Sequence, residues 1–252
     1  MSGAVPQLSV VVPAYEEGEA ILPGLRRILG AIETPAEVLV VVDSRDDSTV
    51  APVERLAREE PTVRLEVNDY GRGPANAIRF GIDTARAPIV VVTMADGCDD
   101  PRQIDELARL IDRGVVVAAA SRYMPGGQQV GGCRFKTLLS RSAGRTLHLF
   151  AGIGTRDATN SFKAYRRDFV TDVGIDSRDG FEIGLELTAK ARRLRLPVAE
   201  IPTIWLDRTE GASNFKLLKW IPKYLRWYRL AFGPRLTLEQ LAAESARKGA
   251  TR

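Results

Sequence analysis

The chain has 252 residues, of which 44% are hydrophobic and 27% are charged, and its formal net charge is +4. These values are typical of a packed domain of enzyme size and exclude a disulfide-dependent miniprotein, a disordered chain and a fibrous repeat. The apolar runs 38–42 and 115–120 are far shorter than the roughly 20 residues that cross a bilayer. Basic residues concentrate in 134–145 and 208–229, which favours anionic ligands or an anionic surface over a nucleic-acid polymer.

The amino terminus and the cysteines favour the cytoplasm. Residues 1–6 lack the basic and apolar regions of a secretory signal, so we expect a cytoplasmic chain. Cys98 and Cys133 share no CxxC spacing, and the sequence has a single histidine, so two free thiols are expected rather than a zinc site. That residue, His148, lies in an apolar helical pattern, which is more typical of a packed side chain than of a catalytic base.

Short β-branched runs alternate with amphipathic stretches along the first two-thirds of the chain. The predicted strands are 8–13, 38–43, 63–67, 89–93, 115–120 and 198–204, with a short strand at the end of 157–165; the predicted helices are 18–32, 47–59, 74–85, 101–112, 135–150 and 181–194. This alternation predicts an α/β fold with a mostly parallel central sheet and helices on both faces. We divide the chain into a sheet domain over residues 1–210 and a basic, aromatic helical extension with a polar tail over residues 211–252.

Polar residues leave three of the predicted strands at one edge of the sheet. Pro13, Tyr15 and Glu17 stand at the end of strand one. Asp43 stands at the end of strand two, and Asp96 follows strand four. Groups that converge at the carboxyl ends of parallel strands suit a sugar or a base, together with a divalent cation held by carboxylates. Asp47 and Asp100 fit helix capping, since each precedes a predicted helix. Asp43 and Asp96 directly follow apolar strands, which favours a functional role for them.

Motifs of other enzyme classes are absent from the sequence. It contains no GxxxxGK[ST] phosphate loop, no complete GxGxxG after a strand and no GxSxG nucleophile elbow. Acyl transfer and hydride transfer are therefore disfavoured.

Eight short blocks follow one another in a family-like order. They are Pro13-x-Tyr-x-Glu17, Asp43 with Asp47 and Thr49, Gly71-x-Gly73, Ala95-Asp96, Ser121-Arg-Tyr123, Asp157 to Tyr165, Gly180-Phe181 with Glu186, and Asp207 to Ser213. Together they resemble the family 2 glycosyltransferases, in particular the dolichol-phosphate mannosyltransferase branch, also called polyprenol-phosphate glycosyltransferases. The resemblance covers about residues 8–216. It implies a GT-A fold and an inverting transfer of a sugar from GDP-mannose or a UDP-hexose to a polyprenyl phosphate, with Mg²⁺ or Mn²⁺.

The resemblance also implies roles for individual residues. Around the donor base and ribose it places Pro13, Tyr15, Glu17 and Asp43. For the acceptor phosphate it implies Arg122, Lys136, Ser140, Arg208 and Ser213. The catalytic residues that it implies are Asp96, Arg122 and Arg208, with Asp96 at the metal and the donor pyrophosphate. Because a polyprenyl phosphate is already an anionic nucleophile, this chemistry requires positioning and charge neutralisation more than a general base.

One position departs from the family pattern. Met94 stands where the first Asp of the Asp-x-Asp motif is expected, so one metal-binding carboxylate is missing. Asp99 and Asp100 are the candidate substitutes, and a site with more water ligands is the alternative, which Mg²⁺ tolerates. Two other hypotheses for the whole protein stay open. One is a catalytically inactive homologue that binds a nucleotide sugar, and the other is a family 2 transferase with a soluble glycan or small-molecule acceptor.

Residues 215–232 combine basic and aromatic side chains at helical spacing. The basic stripe comprises Lys216, Lys219, Lys223 and Arg226, and it is bordered by Trp220 and Trp227. This pattern predicts an interfacial helix that meets anionic headgroups, or alternatively a helix that docks its aromatic residues on the domain. Pro222 predicts a helix start near Ile221. With a lipid acceptor, the first reading predicts peripheral association with the inner face of the membrane, directly or through a small membrane subunit.

Overall fold

The computed structural model describes residues 5–178, 180–207 and 217–249. Its strands are β1 Leu8–Pro13, β2 Ala36–Val42, β3 Val63–Val67, β4 Ile89–Val92, β5 Val117–Ser121, β6 Gln128–Val130, β7 Lys163–Arg166, β8 Val198–Pro202 and β9 Ile204–Leu206. Its α-helices are α1 Ile21–Ala31, α2 Val50–Glu59, α3 Pro74–Thr84, α4 Ile104–Asp112, α5 Arg134–Thr146, α6 Arg167–Val173, α7 Ile183–Leu194, α8 Leu217–Ala231 and α9 Leu238–Gly249. The predicted α/β alternation is therefore confirmed.

The central sheet has the strand order β3-β2-β1-β4-β7-β5-β8. Its strands pair in parallel except β7, which runs antiparallel between β4 and β5. The carboxyl ends of β1, β2, β4 and β5 consequently meet the amino end of β7 at one edge of the sheet. This geometry brings Lys163, at the start of β7, next to the loops that follow β4 and β5.

Helices cover both faces of the sheet because its strands are buried on both sides. Alternate side chains of a strand point to opposite faces. Val11 therefore packs with α3 and α7, whereas Val10 and Val12 pack with α1, α2 and α4. Gly81 permits the close approach of α3, since a Cβ there would collide with the Val11 side chain.

The chain after the central sheet differs from prediction in two respects. The helix expected to begin near Ile221 spans Leu217–Ala231, with Pro222 inside it, so the proline removes one backbone hydrogen bond of the helix without ending it. The residues expected to form a polar tail contain α9, which packs on α6 and α7. The predicted domain boundary between residues 210 and 211 lies outside the described residues.

Smaller differences concern element ends. The predicted helix 135–150 ends at Thr146 and continues as a π-helical turn over Leu147–Ala151. The predicted strand 198–204 divides at Thr203, and its second part, β9, pairs with β6 in a separate two-stranded sheet. Among the described helices, none is both long and apolar enough to cross a membrane.

Candidate active site

The loops after β1 and β2 are joined by a buried carboxylate. Asp47 accepts hydrogen bonds from the backbone N–H groups of Glu16 at 3.0 Å and Thr49 at 2.8 Å. Glu17 donates its backbone N–H to the Thr49 hydroxyl at 3.0 Å, and Tyr15 beside it is 64% exposed. Asp47 has a structural role, but it is not the predicted helix cap: α2 begins at Val50, its N-cap residue is Thr49, and no side chain caps it. The loop that Asp47 fixes presents Tyr15 to solvent at the sheet edge.

Asp43 organises the glycine-rich turn that follows β3. One of its carboxylate oxygens accepts a hydrogen bond from the Asn68 amide and the other from the Gly73 backbone N–H, both at 2.8 Å. Gly73 has φ of 122°, a left-handed conformation that glycine adopts without strain. Asp43 therefore has a structural role in this turn, and its predicted contact with the donor base remains a prediction.

The three aspartates after β4 have different surroundings. Asp96 is half-buried and accepts a hydrogen bond from the Cys98 backbone N–H at 3.1 Å. Asp99 is buried and accepts from the Thr93 hydroxyl at 2.9 Å; burial and the nearby Asp96 charge raise the pKa of Asp99 to about 6. Asp100 caps the following 3-10 helix and pairs with Arg102 at 2.7 Å.

The three aspartates differ in how well they could bind a metal ion. Asp100 has the predicted capping role, and its carboxylate is engaged by a guanidinium, which disfavours it as a ligand. Asp96 and Asp99 lie close enough to interact electrostatically, and carboxylate oxygens are suited to hard cations such as Mg²⁺ and Mn²⁺. Over the part of the chain that is described, no cluster of three Asp, Glu, His or Cys side chains could hold a metal by itself.

Arg122, directly after β5, forms a two-pronged ion pair with Asp157. Its Nε and one terminal nitrogen donate to the two carboxylate oxygens at 2.7 and 2.9 Å, and its backbone N–H donates at 3.0 Å. The Asp157 side chain is fully buried, whereas 13% of the Arg122 side chain is exposed. The other terminal nitrogen of Arg122 is 3.5 Å from the Gln129 amide oxygen. The guanidinium is thus fixed on one side and faces a cavity on the other.

Lys163 is a buried cation beneath this pair. Its ammonium group donates to the backbone carbonyls of Asp157 at 3.3 Å and Ala158 at 3.2 Å, and also to that of Asn160. Burial lowers the pKa of Lys163 to about 7, and the charges of Asp157 and Asp99 oppose this shift. The acidic residues after β4 and the basic residue after β5 therefore belong to one charge network at the sheet edge.

A cavity of about 640 Å³ opens beside Arg122. Its polar lining residues include Arg122, Gln129, Lys136, Thr137 and Ser140. The other lining residues are largely apolar or aromatic and include Leu185, Ile221, Tyr224, Leu225 and Tyr228. A cavity lined by cationic and by apolar side chains matches an amphiphilic anion.

Two of the predicted phosphate-binding residues lie outside the described residues, namely Arg208 and Ser213. The structure brings Arg122, Lys136 and Ser140 together around the cavity. Ser140 also lies 2.5 Å from the Tyr123 hydroxyl. Asp157 and Lys163 were not predicted as site residues, although both stand in one of the eight sequence blocks.

The sequence leaves two readings open for the aromatic residues of α8, and the structure decides between them for Trp227. This side chain is only 3% exposed, and its indole N–H donates to the Ser177 hydroxyl at 3.1 Å. Its ring packs against the Lys190 ammonium and the Arg226 guanidinium. The alternative, a helix that docks its aromatic residues on the domain, describes Trp227. Lys216 lies outside the described residues, as do the side chains of Lys219 and Trp220.

Comparison with known proteins identifies the family. The Glycosyl transferase family 2 profile matches residues 9–174. A polyprenol monophosphomannose synthase from Mycolicibacterium smegmatis is 29% identical over 230 residues, covering 84% of this chain and 85% of that protein. An undecaprenyl-phosphate mannosyltransferase from Micrococcus luteus is 27% identical, covering 81% of this chain and 85% of that protein. A dolichol-phosphate mannosyltransferase from Pyrococcus furiosus is 30% identical; the match covers 89% of this chain but only 63% of that protein.

Solved structures agree on the fold. Glucosyl-3-phosphoglycerate synthase from Mycobacterium tuberculosis, solved with Mn²⁺, UDP and glucosyl-3-phosphoglycerate, has a TM-score of 0.66 at 17% identity and covers 92% of this chain and 82% of that chain. A mannosyltransferase from Pyrobaculum calidifontis, solved with GDP-Man and Mn²⁺, has a TM-score of 0.60 at 20% identity and covers 96% of this chain and 70% of that chain. The fold is GT-A. The chain belongs to glycosyl transferase family 2 and, within it, to the dolichol-phosphate mannosyltransferase-like branch.

Proposed function

We propose that this transferase moves a sugar from a nucleotide sugar to a polyprenyl phosphate, with inversion at the anomeric carbon, at the cytoplasmic face of a membrane. The observation that carries the proposal is the cavity beside Arg122, whose cationic and apolar lining residues match a phosphate attached to an isoprenoid chain. Three relatives whose names describe polyprenol, undecaprenyl or dolichol phosphate chemistry support it.

The cavity adjoins the loop that would hold the donor pyrophosphate. The Leu206 backbone N–H, at the end of β9, donates to the Cys98 carbonyl at 3.4 Å, and the next residue, Asp207, lines the cavity. Arg122 is also close enough to Asp99 for its positive charge to lower the Asp99 pKa, which opposes the rise that burial causes. An acceptor phosphate near Arg122 would therefore stand beside a donor held at Asp96. The acceptor phosphate is already negatively charged and can act as the nucleophile, so no general base is required.

A divalent cation fits the donor side of this site. Asp96 and Asp99 offer oxygen ligands to Mg²⁺ or Mn²⁺, and pyrophosphate oxygens and water would complete the coordination, as Mg²⁺ commonly requires. The bound metal would neutralise charge on the departing nucleoside diphosphate. The protein supplies the complementary charges on the acceptor side through Arg122 and Lys136.

Restoring a carboxylate at position 94 tests whether the metal site is a depleted Asp-x-Asp motif. The Met94→Asp variant is expected to bind Mn²⁺ about tenfold more tightly in the presence of a nucleoside diphosphate, because an additional oxygen ligand suits a hard cation better than a thioether. Calorimetric titration of both proteins measures this. Equal affinities would mean that the side chain at position 94 does not reach the metal.

We propose that α5, rather than Trp227, contacts the membrane. Phe135 and Leu138 are each 64% exposed, and Leu149 and Phe150 in the π-helical turn are 71% and 76% exposed. Along α5 the exposed basic residues are Arg134, Arg141 and Arg145. Apolar side chains flanked by arginines are typical of a helix that lies in the headgroup region of anionic lipid. Because α5 also lines the cavity, an acceptor in the membrane would have a short path to Arg122.

Polar substitution on α5 tests this membrane contact. The Phe135→Ser, Leu138→Ser double variant is expected to bind anionic vesicles at least about tenfold more weakly, since each apolar side chain contributes on the order of 1–2 kcal/mol when buried in lipid. The control is Leu238→Ser on α9, where the leucine is 46% exposed. Co-sedimentation of the three proteins measures binding. A loss of the same size in the control would contradict a specific role for α5.

The proposed reaction is tested with a panel of nucleotide sugars, Mg²⁺ or Mn²⁺, and a polyprenyl phosphate in vesicles. Transfer from GDP-mannose or a UDP-hexose to the lipid is the expected result, and the configuration of the product reports inversion. Transfer only to soluble glycans or small phosphates would replace the proposed acceptor. Nucleotide-sugar binding without transfer to any acceptor would favour the inactive homologue.

A further inference from the structure

The side chain of Gln129 on β6 joins three elements of the site. Its Nε2 donates to the Thr137 hydroxyl on α5 at 2.8 Å. Its Oε1 accepts from the Tyr123 hydroxyl at 3.0 Å and lies 3.5 Å from the Arg122 guanidinium. One half-buried amide thus contacts α5 and both residues that follow Ser121 at the end of β5.

Tyr123 and Ser140 extend this cluster. The Tyr123 hydroxyl donates to Gln129 Oε1 at 3.0 Å and lies 2.5 Å from the Ser140 hydroxyl, which also lies 3.1 Å from the Thr137 carbonyl oxygen. Thr137 accepts from Gln129 and donates to the Cys133 carbonyl at 3.2 Å. Gln129 is therefore connected to the first turn of α5 through Thr137 and to the second turn through Tyr123 and Ser140.

The two halves of α5 differ in how closely they approach the rest of the domain. All residues of α5 are described, and Gly144 is the one that is buried. At Gly144 the helix approaches the Arg156 carbonyl so closely that a Cβ would collide with it, which fixes the carboxyl-terminal half. The half that carries Lys136 and Ser140 is exposed on one side and borders the cavity on the other.

We propose that Gln129 is a positioning residue that seats the amino-terminal half of α5, so that Lys136 and Ser140 face Arg122 across the cavity. The identity of the ligand that they face, a prenyl phosphate, rests on the proposed function. The seating itself rests on the hydrogen bonds of Gln129. Removing its amide should therefore loosen α5 and weaken acceptor binding without affecting the donor site.

The test compares Gln129→Leu with Gln128→Leu in the full chain. Gln128 is the exposed neighbour on the same strand, so it controls for the loss of one glutamine from β6. In Gln129→Leu we expect amide hydrogen exchange in 134–141 to accelerate about tenfold and the KM for a short, water-soluble prenyl phosphate to rise about tenfold. The KM for the nucleotide sugar and the melting temperature should stay close to those of the parent, as should all values for Gln128→Leu.

A double-mutant cycle with Thr137→Val separates positioning from general damage. If Gln129 acts through Thr137, the double variant is no worse than Gln129→Leu alone, whereas independent effects would add. Unchanged exchange in α5, or an equal rise in both KM values, would overturn the proposal. If the parent transfers no sugar to the prenyl phosphate while exchange in α5 still responds to Gln129→Leu, the seating by Gln129 holds and the proposed function fails.

Discussion

An Asp157→Asn variant is expected to lose about 3–5 kcal/mol of unfolding free energy, because it would leave Arg122 without the carboxylate that now binds it twice. Asp157 is fully buried, and the same substitution removes the negative charge that most strongly opposes the lowering of the Lys163 pKa by burial. An exposed ion pair contributes far less, typically below about 1 kcal/mol. Urea unfolding of parent and variant measures the difference.

The pH dependence of this loss follows from the pKa of Asp157. Burial raises that pKa, but the Arg122 charge and hydrogen bonds outweigh burial, so the folded-state pKa lies below its ordinary value. The ion pair therefore stabilises the fold fully above the unfolded pKa of about 4, and the stabilisation is lost as pH falls through the folded-state pKa. The stability difference between parent and variant should be largest near neutral pH and should shrink in acid.

The control is Glu19→Gln, which breaks an exposed pair with Arg55. The side chains of this pair are 67% and 48% exposed, so the urea midpoint of Glu19→Gln should stay close to that of the parent. If Asp157→Asn also unfolded at the urea midpoint of the parent, Arg122 would have to find another partner or water at no cost. That result would remove the argument that Asp157 holds the guanidinium toward the cavity.

The parallel part of the sheet could be predicted from the sequence because its strands are buried on both faces. Val10 and Val11 point to opposite faces and are both fully buried, so the strand reads as an unbroken apolar run. The antiparallel direction of β7 could not be predicted, since strand direction depends on which neighbours it joins. Its first residue is a lysine, which by itself indicates an exposed position, and the three carbonyls that satisfy Lys163 come together only in the folded loop.

The surface of α8 shows a different limit of sequence reasoning. Helical spacing locates the basic and aromatic residues on the helix, but it does not say whether lipid or protein covers them. Trp227 is covered by α7, on which Glu186 and Lys190 form a buried ion pair at 2.7 Å. Glutamate and lysine are rarely fully buried unless they are paired. The sequence of α7 therefore did not indicate that these residues form part of the buried surface that covers the Trp227 indole.

Asp96→Asn is expected to lower turnover about a thousandfold, which corresponds to about 4 kcal/mol of transition-state stabilisation. The substitution preserves the shape of the side chain and an oxygen that can accept from the Cys98 backbone N–H, so folding should be little affected. The metal, however, would lose one of its two negatively charged protein ligands beside the pyrophosphate. Steady-state assays over a Mn²⁺ series measure the effect, together with thermal unfolding.

Asp100→Asn is the matched control for Asp96→Asn, because it lies four residues further along the same loop. Asp100 caps a 3-10 helix and pairs with Arg102, so its variant should retain turnover within a few fold and lose roughly 1 kcal/mol of stability or less, since Asn also caps helices. A similar loss of turnover in both variants would assign the effect to the shape of the loop. Full activity of Asp96→Asn, or of the parent in excess EDTA, would contradict a metal held by Asp96. If only Asp96→Asn loses turnover and EDTA reduces the turnover of the parent by a similar factor, the result supports a metal, held by Asp96, that neutralises the departing nucleoside diphosphate.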